Sequence, residues 1–225
     1  MSAHLALPRL RLPRAILFDW DNTLVDSWAV IHAALNHTLG EMGHAIWSRA
    51  DIESRVRSSL RDSFPMLFGA DWPKAEKLFY DFFGAIHLRH LTPLPGAQEL
   101  LEHLSDRGIY LAVVSNKRGA FLRKEAAHLG WDRHFAVLAG AGDAARDKPA
   151  REHVDLALQA AAGVSAGPEV WFVGDTDIDL NCAQNAGCIP VLVRELAPRS
   201  GEFAGHPPAL HQPDCHSLCT YLQSL

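Results

Sequence analysis

The segment AILFDWDNTL, residues 15–24, decides how the rest of the chain is interpreted. Its first four residues are apolar, which is typical of a buried strand. Two carboxylates, Asp19 and Asp21, follow at the end of this strand, at the edge where open α/β sheets bind their ligands. Because two neighbouring acids repel each other, we expect a cation beside them. For this segment taken alone, an Asx-rich turn that caps the next helix is the alternative.

Helical periodicity replaces the strand pattern in residues 25–91. Apolar residues recur at steps of three and four from Trp28 to Leu39, which predicts a helix that ends near Gly40. Two further helices are predicted, over Ile52–Leu60 and Lys74–Leu91, and no strand-like run occurs. We therefore expect a small helical bundle inserted after the first strand. Its aromatic residues are expected to form the bundle core, with one or two of them near the site: Trp28, Phe64, Phe68, Phe79, Phe82 and Phe83.

Strands and helices alternate in the remainder of the chain, after a break at Thr92-Pro93-Leu94-Pro95-Gly96. Strands are predicted over Ile109–Val114, Phe135–Leu138, Glu169–Val173 and Ile189–Val193. Helices are predicted between them, over Ala97–Arg107, up to Leu129, over Lys148–Ala162 and up to Ala186, with a loop over Ala197–Pro213 before a short last helix. This alternation predicts an α/β fold in which right-handed βαβ units form a parallel sheet covered on both faces. The main domain comprises residues 14–24 and 92–225, and the inserted bundle comprises residues 25–91.

The composition of the 225 residues excludes several classes of function. A net charge of −5 provides no basic field for a nucleic-acid backbone, and no apolar run approaches the ~20 residues that span a bilayer. The four cysteines lack the spacing of a disulfide framework, which favours reduced thiols in a cytoplasmic protein. The first 14 residues lack the uninterrupted apolar core of a signal peptide, and a frayed terminus is favoured over an Arg-rich transit peptide.

Polar side chains follow three of the predicted strands: Asp19 and Asp21, Ser115 and Asn116, and Asp175 and Asp179. Because parallel strands end at one edge of a sheet, we expect these groups to converge there, together with Lys148 at a helix start.

Each group suits one part of a phosphate site. The carboxylates of Asp19 and Asp175 are hard oxygen ligands that suit Mg²⁺. Ser115 lies at a strand-to-helix junction, where a phosphate is favoured, and Lys148 can neutralise phosphoryl oxygens. Asp179 lies one helical turn after Asp175 and faces the same way. Together these residues indicate phosphoryl transfer.

The sequence resembles the haloacid dehalogenase (HAD) superfamily of phosphatases, and within it the phosphoglycolate phosphatase-like group. The pattern DxDx(T/V) after a strand matches Asp19, Asp21 and Thr23, and a strand that ends in Ser or Thr matches Ser115. The downstream lysine matches Lys148 within DKP, and GDxxxD matches residues 174–179. The resemblance covers about residues 14–193. It implies a Rossmann-like parallel sheet core with the bundle placed as a C1-type cap.

The resemblance also implies a role for each matched residue. Asp19 would be the nucleophile that forms an aspartyl-phosphate, and Asp21 would act as general acid and then as general base. Mg²⁺ would be held by Asp19, Asp175 and the backbone carbonyl of Asp21, while Asp179 would orient a metal-bound water or Lys148. The phosphoryl group would be bound by Ser115 and Lys148, with supporting hydrogen bonds from Thr23 and Asn116.

Two residues depart from the usual pattern in the first motif. Asn22 replaces a glycine, and because asparagine tolerates the left-handed conformation, we expect the turn to be kept. Trp20 fills the position between the acids, and we expect it to narrow the approach to Asp21.

These observations predict a Mg²⁺-dependent hydrolase of a small phosphomonoester, with phosphoglycolate as the default substrate by resemblance alone. A sugar-phosphate mutase shares every core motif and stays open as an alternative. A dehalogenase would not need Asp21, and a phosphonatase would need a lysine of the insert, where only Lys74 and Lys77 occur. A non-catalytic protein that binds phosphate or a partner in the same pocket is the alternative of a different class.

Several other residues admit two interpretations. Asp177 is interpreted as a helix N-terminal charge rather than as a ligand. The arginines of the insert are interpreted as a solvated face, or alternatively as partners of a substrate carboxylate: Arg49, Arg55, Arg57 and Arg61. A zinc site is the less favoured interpretation of four residues of the tail, His211, Cys215, His216 and Cys219, because their spacing matches no standard pattern.

Overall fold

The computed structural model describes residues 10–55 and 59–225, with the backbone alone at positions 53 and 54. Within this part of the chain, six strands form one sheet: β1 (Ala15–Phe18), β4 (Tyr110–Arg118), β5 (Val137–Ala141), β6 (Val170–Gly174), β7 (Ile189–Val193) and β8 (Leu210–Gln212). Their order is β5-β4-β1-β6-β7-β8, and every pairing is parallel. The predicted α/β fold with a parallel sheet is therefore confirmed.

The first strand occupies the centre of the sheet because all four of its side chains are apolar and fully buried. Phe18 lies opposite Val113 of β4 and Val173 of β6. The residues that follow these three positions therefore lie side by side at the C-terminal end of β1. This register is what brings the ends of β1, β4 and β6 to one place.

Helices cover both faces of the sheet. One face packs against α5 (Ala97–Asp106), α6 (Gly119–Leu129) and α9 (Cys215–Gln223), and the other packs against α7 (Arg151–Leu158) and α8 (Asp177–Ala186). Along β1 the side chains alternate between the two apolar layers, as the period of a strand requires. No helix among the described residues has both the length and the apolar character that a bilayer-spanning helix requires.

The insert, residues 25–91, contains four α-helices in its described part: α1 (Trp28–Glu41), α2 (Arg49–Arg55), α3 (Leu60–Phe68) and α4 (Trp72–Ile86). These helices share an apolar cluster that is separate from the two layers of the sheet. The two ends of the insert meet in a short antiparallel ribbon, in which β2 (Val25–Asp26) pairs with β3 (Thr92–Pro93).

The structure corrects the predicted elements of the insert. The continuous helix predicted over Ile52–Leu60 is wrong, because α2 ends at Arg55 and Ser59 has an extended backbone before α3 begins. Residues 56–58 lie outside the described residues. The last helix ends at Ile86 and is followed by a 3₁₀ turn, rather than continuing to Leu91. The two-residue strand β2 was missed because it is too short to show a period.

Three further elements differ in the main domain. The strand β5 covers Val137–Ala141 rather than the predicted Phe135–Leu138, and α7 begins at Arg151 rather than at Lys148. The segment Ala197–Pro213, which was predicted as a loop, contains the edge strand β8. The predicted frayed terminus falls largely on residues 1–9, which lie outside the described residues.

Candidate active site

Lys148 is the centre of the polar cluster at the end of the sheet. Its ammonium Nζ donates hydrogen bonds to Asp19 Oδ1 at 2.6 Å and to Asp179 Oδ1 at 2.7 Å. The side chains of Lys148 and Asp179 are 2% and 1% exposed. A buried ammonium is tolerated only with such partners, so the three residues define each other's positions.

The loop that carries Lys148 is held by Asn116, at the end of β4. The Asn116 side-chain oxygen accepts from the Lys148 backbone N–H at 3.0 Å, and its amide nitrogen donates to the Lys148 carbonyl at 3.3 Å. One side chain thus satisfies both backbone groups of Lys148. Ser115, beside it, is buried, and its hydroxyl oxygen accepts from the backbone N–H of Lys117 at 3.2 Å.

Asp179 is positioned by the first turn of α8. Its Oδ2 accepts from the backbone N–H and the hydroxyl of Thr176, at 3.0 and 2.7 Å, in a capping box. The strand approaches this turn so closely that a Cβ on Gly174 would lie 2.3 Å from both Cβ and Cγ of Asp179. The glycine of GDxxxD is therefore required by packing. Asp177, which is the first residue of α8, lies outside the carboxylate cluster described next.

Three carboxylates meet at this edge of the sheet. Asp19, Asp175 and Asp179 each offer an oxygen, and these atoms all lie within 4.8 Å of one another. Thr23 donates from its hydroxyl to Asp175 Oδ1 at 3.4 Å. Among the described residues this is the only group of three or more His, Cys, Asp or Glu side chains arranged to hold a metal ion.

The negative charge of the carboxylate cluster exceeds its positive charge, which favours a second cation. Burial raises the pKa of Asp19 to about 7, although Lys148 opposes the rise. Burial, with the charges of Asp179 and Asp19, raises the pKa of Asp175 well above its ordinary value. One lysine thus faces three acids. A set of hard oxygen donors with excess negative charge fits Mg²⁺.

Asp21 lies apart from this cluster and has its own partners. Its Oδ1 accepts from Lys117 Nζ at 2.6 Å and from the hydroxyl of Ser27. Asn22 has a φ of 62°, so the expectation that asparagine keeps the left-handed turn is confirmed. Its side-chain oxygen accepts from the backbone N–H of Ser27 at 3.2 Å, which closes the turn around Asp21.

Behind Lys117 lies Glu125, a buried carboxylate that the sequence reasoning missed. It accepts from Lys117 Nζ at 2.6 Å, from Trp20 Nε1 at 2.7 Å, and it pairs with His87 Nδ1 at 2.8 Å. Burial opposes ionisation of Glu125, but these hydrogen bonds outweigh it and hold the pKa of Glu125 below its ordinary value. Burial also opposes the charge of Lys117, and the carboxylates of Asp21 and Glu125 reverse this effect and raise the pKa of Lys117.

The position of Trp20 contradicts the sequence expectation. Trp20 is fully buried, with its ring 5.9 Å from that of Trp131, and it does not line the cavity described below. It therefore does not narrow the approach to Asp21. The expectation failed because Trp20 turns away from the acids and reaches Glu125 instead. The signal for Glu125 was present in the sequence, since it lies between Leu122 and Ala126 on the buried face of α6.

A cavity of about 380 Å³ lies between the carboxylates and the insert. Asp19, Asp21, Ser115, Lys148 and Asp175 line its floor. Aromatic residues of the insert line it as well. Four of those named from the sequence do so, rather than the expected one or two: Trp28, Phe64, Phe79 and Phe83. Trp47 and Tyr80 also line it.

The arginines of the insert have separate environments. Arg55 lines the cavity and stacks on the ring of Trp47 at 4.6 Å. Arg61 Nη2 lies 3.2 Å from Oδ2 of the buried Asp147, so it joins the insert to the loop that carries Lys148. Arg49 does not line the cavity, and Arg57 lies outside the described residues.

The four residues of the tail considered for zinc make other contacts. The thiol of Cys215 donates to the Thr23 carbonyl at 3.3 Å, and His211 Nε2 lies 2.9 Å from the Arg194 carbonyl oxygen. Cys219 Sγ lies 3.7 Å from the side-chain nitrogen of Gln223. Cys215 thus connects α9 to the turn after β1. His216 lies with its backbone against Gly96, where a Cβ would come within 2.5 Å of its nitrogen.

Comparison with known proteins agrees with this geometry. Residues 16–193 match the model of the haloacid dehalogenase-like hydrolase family, and the chain therefore belongs to that family. A phosphoglycolate phosphatase of Xanthomonas campestris is 30% identical over 183 residues, which cover 79% of this chain and 81% of that protein.

Solved structures show the same fold. A HAD-superfamily hydrolase from Ehrlichia chaffeensis is 28% identical, with a TM-score of 0.65 over 96% of this chain and 98% of that one. A haloacid dehalogenase-like family protein from Streptococcus pneumoniae has a TM-score of 0.80 at 23% identity, over 94% and 99% of the two chains.

The raised carboxylate pKa values predict that stabilisation by Mg²⁺ increases with pH. A group whose pKa is raised in the folded state stabilises the fold at low pH and loses that contribution as pH rises through the folded value, here about 7 for Asp19. A divalent cation in this cluster would bind the deprotonated carboxylates and replace the lost protons. Millimolar Mg²⁺ should therefore raise the unfolding midpoint by several degrees more near pH 8 than near pH 5.5. Equal shifts at both pH values, in thermal scans of the native protein, would contradict this assignment, and Asp175→Asn should remove the difference.

Glu125→Gln should destabilise the protein, because it removes the charge that Lys117, Trp20 and His87 face in a buried position. We expect a loss of about 1–3 kcal/mol in the free energy of unfolding, measured with urea. The turnover number should fall as well, because Lys117 loses one of its two carboxylate partners and is held less firmly against Asp21. The matched control is Glu195→Gln at an exposed position, which should change stability by less than about 0.5 kcal/mol. Equal stability of the two variants would show that the buried network is not needed.

Proposed function

We propose that this protein is a Mg²⁺-dependent phosphomonoester hydrolase that acts on a small phosphorylated metabolite through an aspartyl-phosphate on Asp19. The observation that carries the proposal is the buried ammonium of Lys148, which bridges Asp19 and Asp179 beside the carboxylate of Asp175. Phosphatase relatives that cover four fifths of the chain support it. Their name, phosphoglycolate phosphatase, makes phosphoglycolate one candidate substrate.

The first step transfers the phosphoryl group to Asp19. Its carboxylate oxygen forms a bond to phosphorus as the bond between phosphorus and the ester oxygen breaks. Asp21 gives its proton to the departing alkoxide, so that a neutral alcohol leaves. Lys148 and the hydroxyl of Ser115 bind the transferring phosphoryl oxygens, whose charge is the main target for stabilisation.

The second step releases inorganic phosphate. Asp21, now a carboxylate, takes a proton from a water molecule whose oxygen attacks phosphorus, and the bond to Asp19 breaks. Asp21 can serve in both steps because Lys117 and Ser27 fix its position from the side. The network behind Lys117 thus acts as positioning machinery for the proton-transfer residue.

The metal site is assigned to Asp19, Asp175 and the backbone carbonyl of Asp21, with Asp179 orienting Lys148. When bound, Mg²⁺ supplies positive charge that neutralises the phosphoryl oxygens. Thr23 orients Asp175, and Asn116 holds the Lys148 loop, so both act through hydrogen bonds to other site residues.

We propose that residues 25–91 act as a cap on the domain formed by residues 14–24 and 92–225. The cavity between them is closed on one side by the helices of the insert, and Arg61 pairs across it with Asp147. A cap in this position would exclude water during phosphoryl transfer. The four free, buried cysteines support a cytoplasmic location.

Two other chemistries on this core receive less support, and two further alternatives would differ in the reaction that they show. A phosphonatase would need an insert lysine in the cavity, but Lys74 and Lys77 are exposed and do not line it, and Lys77 pairs with Asp81. A dehalogenase would not need Asp21, and so would not need Lys117 and Ser27 to hold it in position. A sugar-phosphate mutase would interconvert sugar phosphates without releasing phosphate, and a non-catalytic protein would bind phosphate without turnover.

Asp19→Asn should abolish Mg²⁺-dependent release of phosphate from a generic aryl phosphate, by at least about a thousandfold, because the amide cannot act as the nucleophile. Circular dichroism should show that the variant stays folded. Asp177→Asn is the matched control from the second acidic motif, and it should retain most of the activity. Activity retained in Asp19→Asn would remove Asp19 as nucleophile, and the absence of any Mg²⁺-dependent turnover in the native protein would favour the non-catalytic alternative.

A further inference from the structure

The cavity above the carboxylates is larger than a compact substrate requires. Its volume of about 380 Å³ falls in the range of about 300–1,000 Å³ that is typical of pockets for ligands of drug size. A phosphate with a two-carbon acid would occupy only the floor, next to Asp19 and Lys148. The upper part of the cavity is therefore available to a larger leaving group.

The upper wall is apolar and comes from three helices of the insert. Most residues of α1, α3 and α4 that line the cavity are apolar, with Ser63 and Tyr80 the hydroxyl-bearing ones among the described residues, and the apolar ones include Ile31, Leu35, Phe64, Leu67, Phe79 and Phe83. The three phenylalanines among them are between 1% and 6% exposed. Their rings pack against each other, with centroids 5.8 Å apart for Phe64 and Phe79 and 5.7 Å apart for Phe79 and Phe83. Such a wall is rigid and presents apolar atoms to the cavity.

The cations that line the described part of the cavity already have partners, including Lys117, whose Nζ lies 5.2 Å from the centroid of the Phe83 ring in this wall. Among the described lining residues, Lys148 and Lys117 each already pair with two carboxylates. Arg55 and Arg118 are exposed and lie over aromatic rings, those of Trp47 at 4.6 Å and Tyr80 at 4.8 Å. A carboxylate placed against the apolar wall would lose its water and would have to compete with Asp21 and Glu125 for Lys117, whereas an apolar group would gain contact.

We propose that the substrate carries an apolar, ring-sized group that is separated from its phosphate ester oxygen by one or two carbon atoms, as in the phosphate ester of an arylalkyl or heteroarylalkyl alcohol. This inference rests on the proposed function and assigns the substrate class of the same site. The phosphate would occupy the floor at Asp19, Ser115 and Lys148, and the ring would lie against Ile31 and the phenylalanines of α3 and α4.

Three phosphate esters of primary alcohols test the assignment with the native protein and Mg²⁺: ethyl phosphate, 2-phosphoglycolate and 2-phenylethyl phosphate. All three lose the same kind of leaving oxygen and differ in the group beyond it. We expect kcat/KM for 2-phenylethyl phosphate to exceed that for each of the other two by about tenfold or more, mainly through a lower KM.

A pair of isoleucine variants tests whether the preference for 2-phenylethyl phosphate depends on the apolar wall. Ile31→Thr places a hydroxyl in the apolar wall and should lower the ratio of kcat/KM for 2-phenylethyl phosphate to that for ethyl phosphate by about tenfold. Ile46→Thr makes the same change at a residue of the insert that is 70% exposed and does not line the cavity. It should leave the ratio within about twofold of the native value.

The outcomes separate this inference from the function on which it rests. Mg²⁺-dependent hydrolysis in which 2-phosphoglycolate or ethyl phosphate is used as efficiently as 2-phenylethyl phosphate would overturn the assigned substrate class and leave the phosphatase intact. The assigned substrate class would also be overturned if the ratio of kcat/KM for 2-phenylethyl phosphate to that for ethyl phosphate were the same in Ile31→Thr as in the native protein. Failure to hydrolyse any of the three esters would overturn the inference alone if the generic aryl phosphate is still hydrolysed, and would overturn the proposed function as well if it is not.

Discussion

The structure depends on a buried ammonium group that must be neutralised. Lys148 lies at the end of the sheet with almost no contact with water, and its charge is compensated by Asp19 and Asp179. Asp19 directly follows β1, Lys148 lies in the loop before α7 and Asp179 lies in the first turn of α8, so their pairing joins three distant segments of the chain. The pairing leaves the carboxylate of Asp175 without a charged partner in the cluster. That surplus of negative charge is the physical reason for assigning a divalent cation to the site.

A second buried lysine near the first also pairs with two carboxylates. Lys117 bridges Asp21 and Glu125, as Lys148 bridges Asp19 and Asp179. In the proposed mechanism one lysine serves the nucleophile and the other serves the residue that transfers protons. Each reacting acid is therefore paired with a lysine, and a second carboxylate that does not react holds that lysine in place. His87, at the end of the insert, completes the second network and connects it to the helices above the cavity.

Much of this arrangement could be predicted from the sequence, since it depends on local patterns. The apolar residues before Asp19 predicted the central strand, and the alternation of strands and helices predicted a parallel sheet whose ends converge. The network around Glu125 could not be predicted in this way, because Trp20 and His87 are distant from Glu125 in sequence and only tertiary packing brings them together. Trp20 was placed wrongly for the same reason: its indole N–H is satisfied by Glu125, which draws the ring into the core. The break between α2 and α3 was missed because apolar spacing continues across it, and β8 was missed because three half-buried residues show no period.

The central claim is that Asp19 receives a phosphoryl group beside a cation shared with Asp175. A crystal structure of the protein with Mg²⁺ and beryllium trifluoride, which mimics a phosphoryl group, tests it most directly. The account predicts beryllium bonded to a carboxylate oxygen of Asp19, Mg²⁺ in contact with Asp19 and Asp175, and the Lys148 ammonium against the fluorides. Beryllium bonded to another residue, or Mg²⁺ bound away from Asp175, would contradict it.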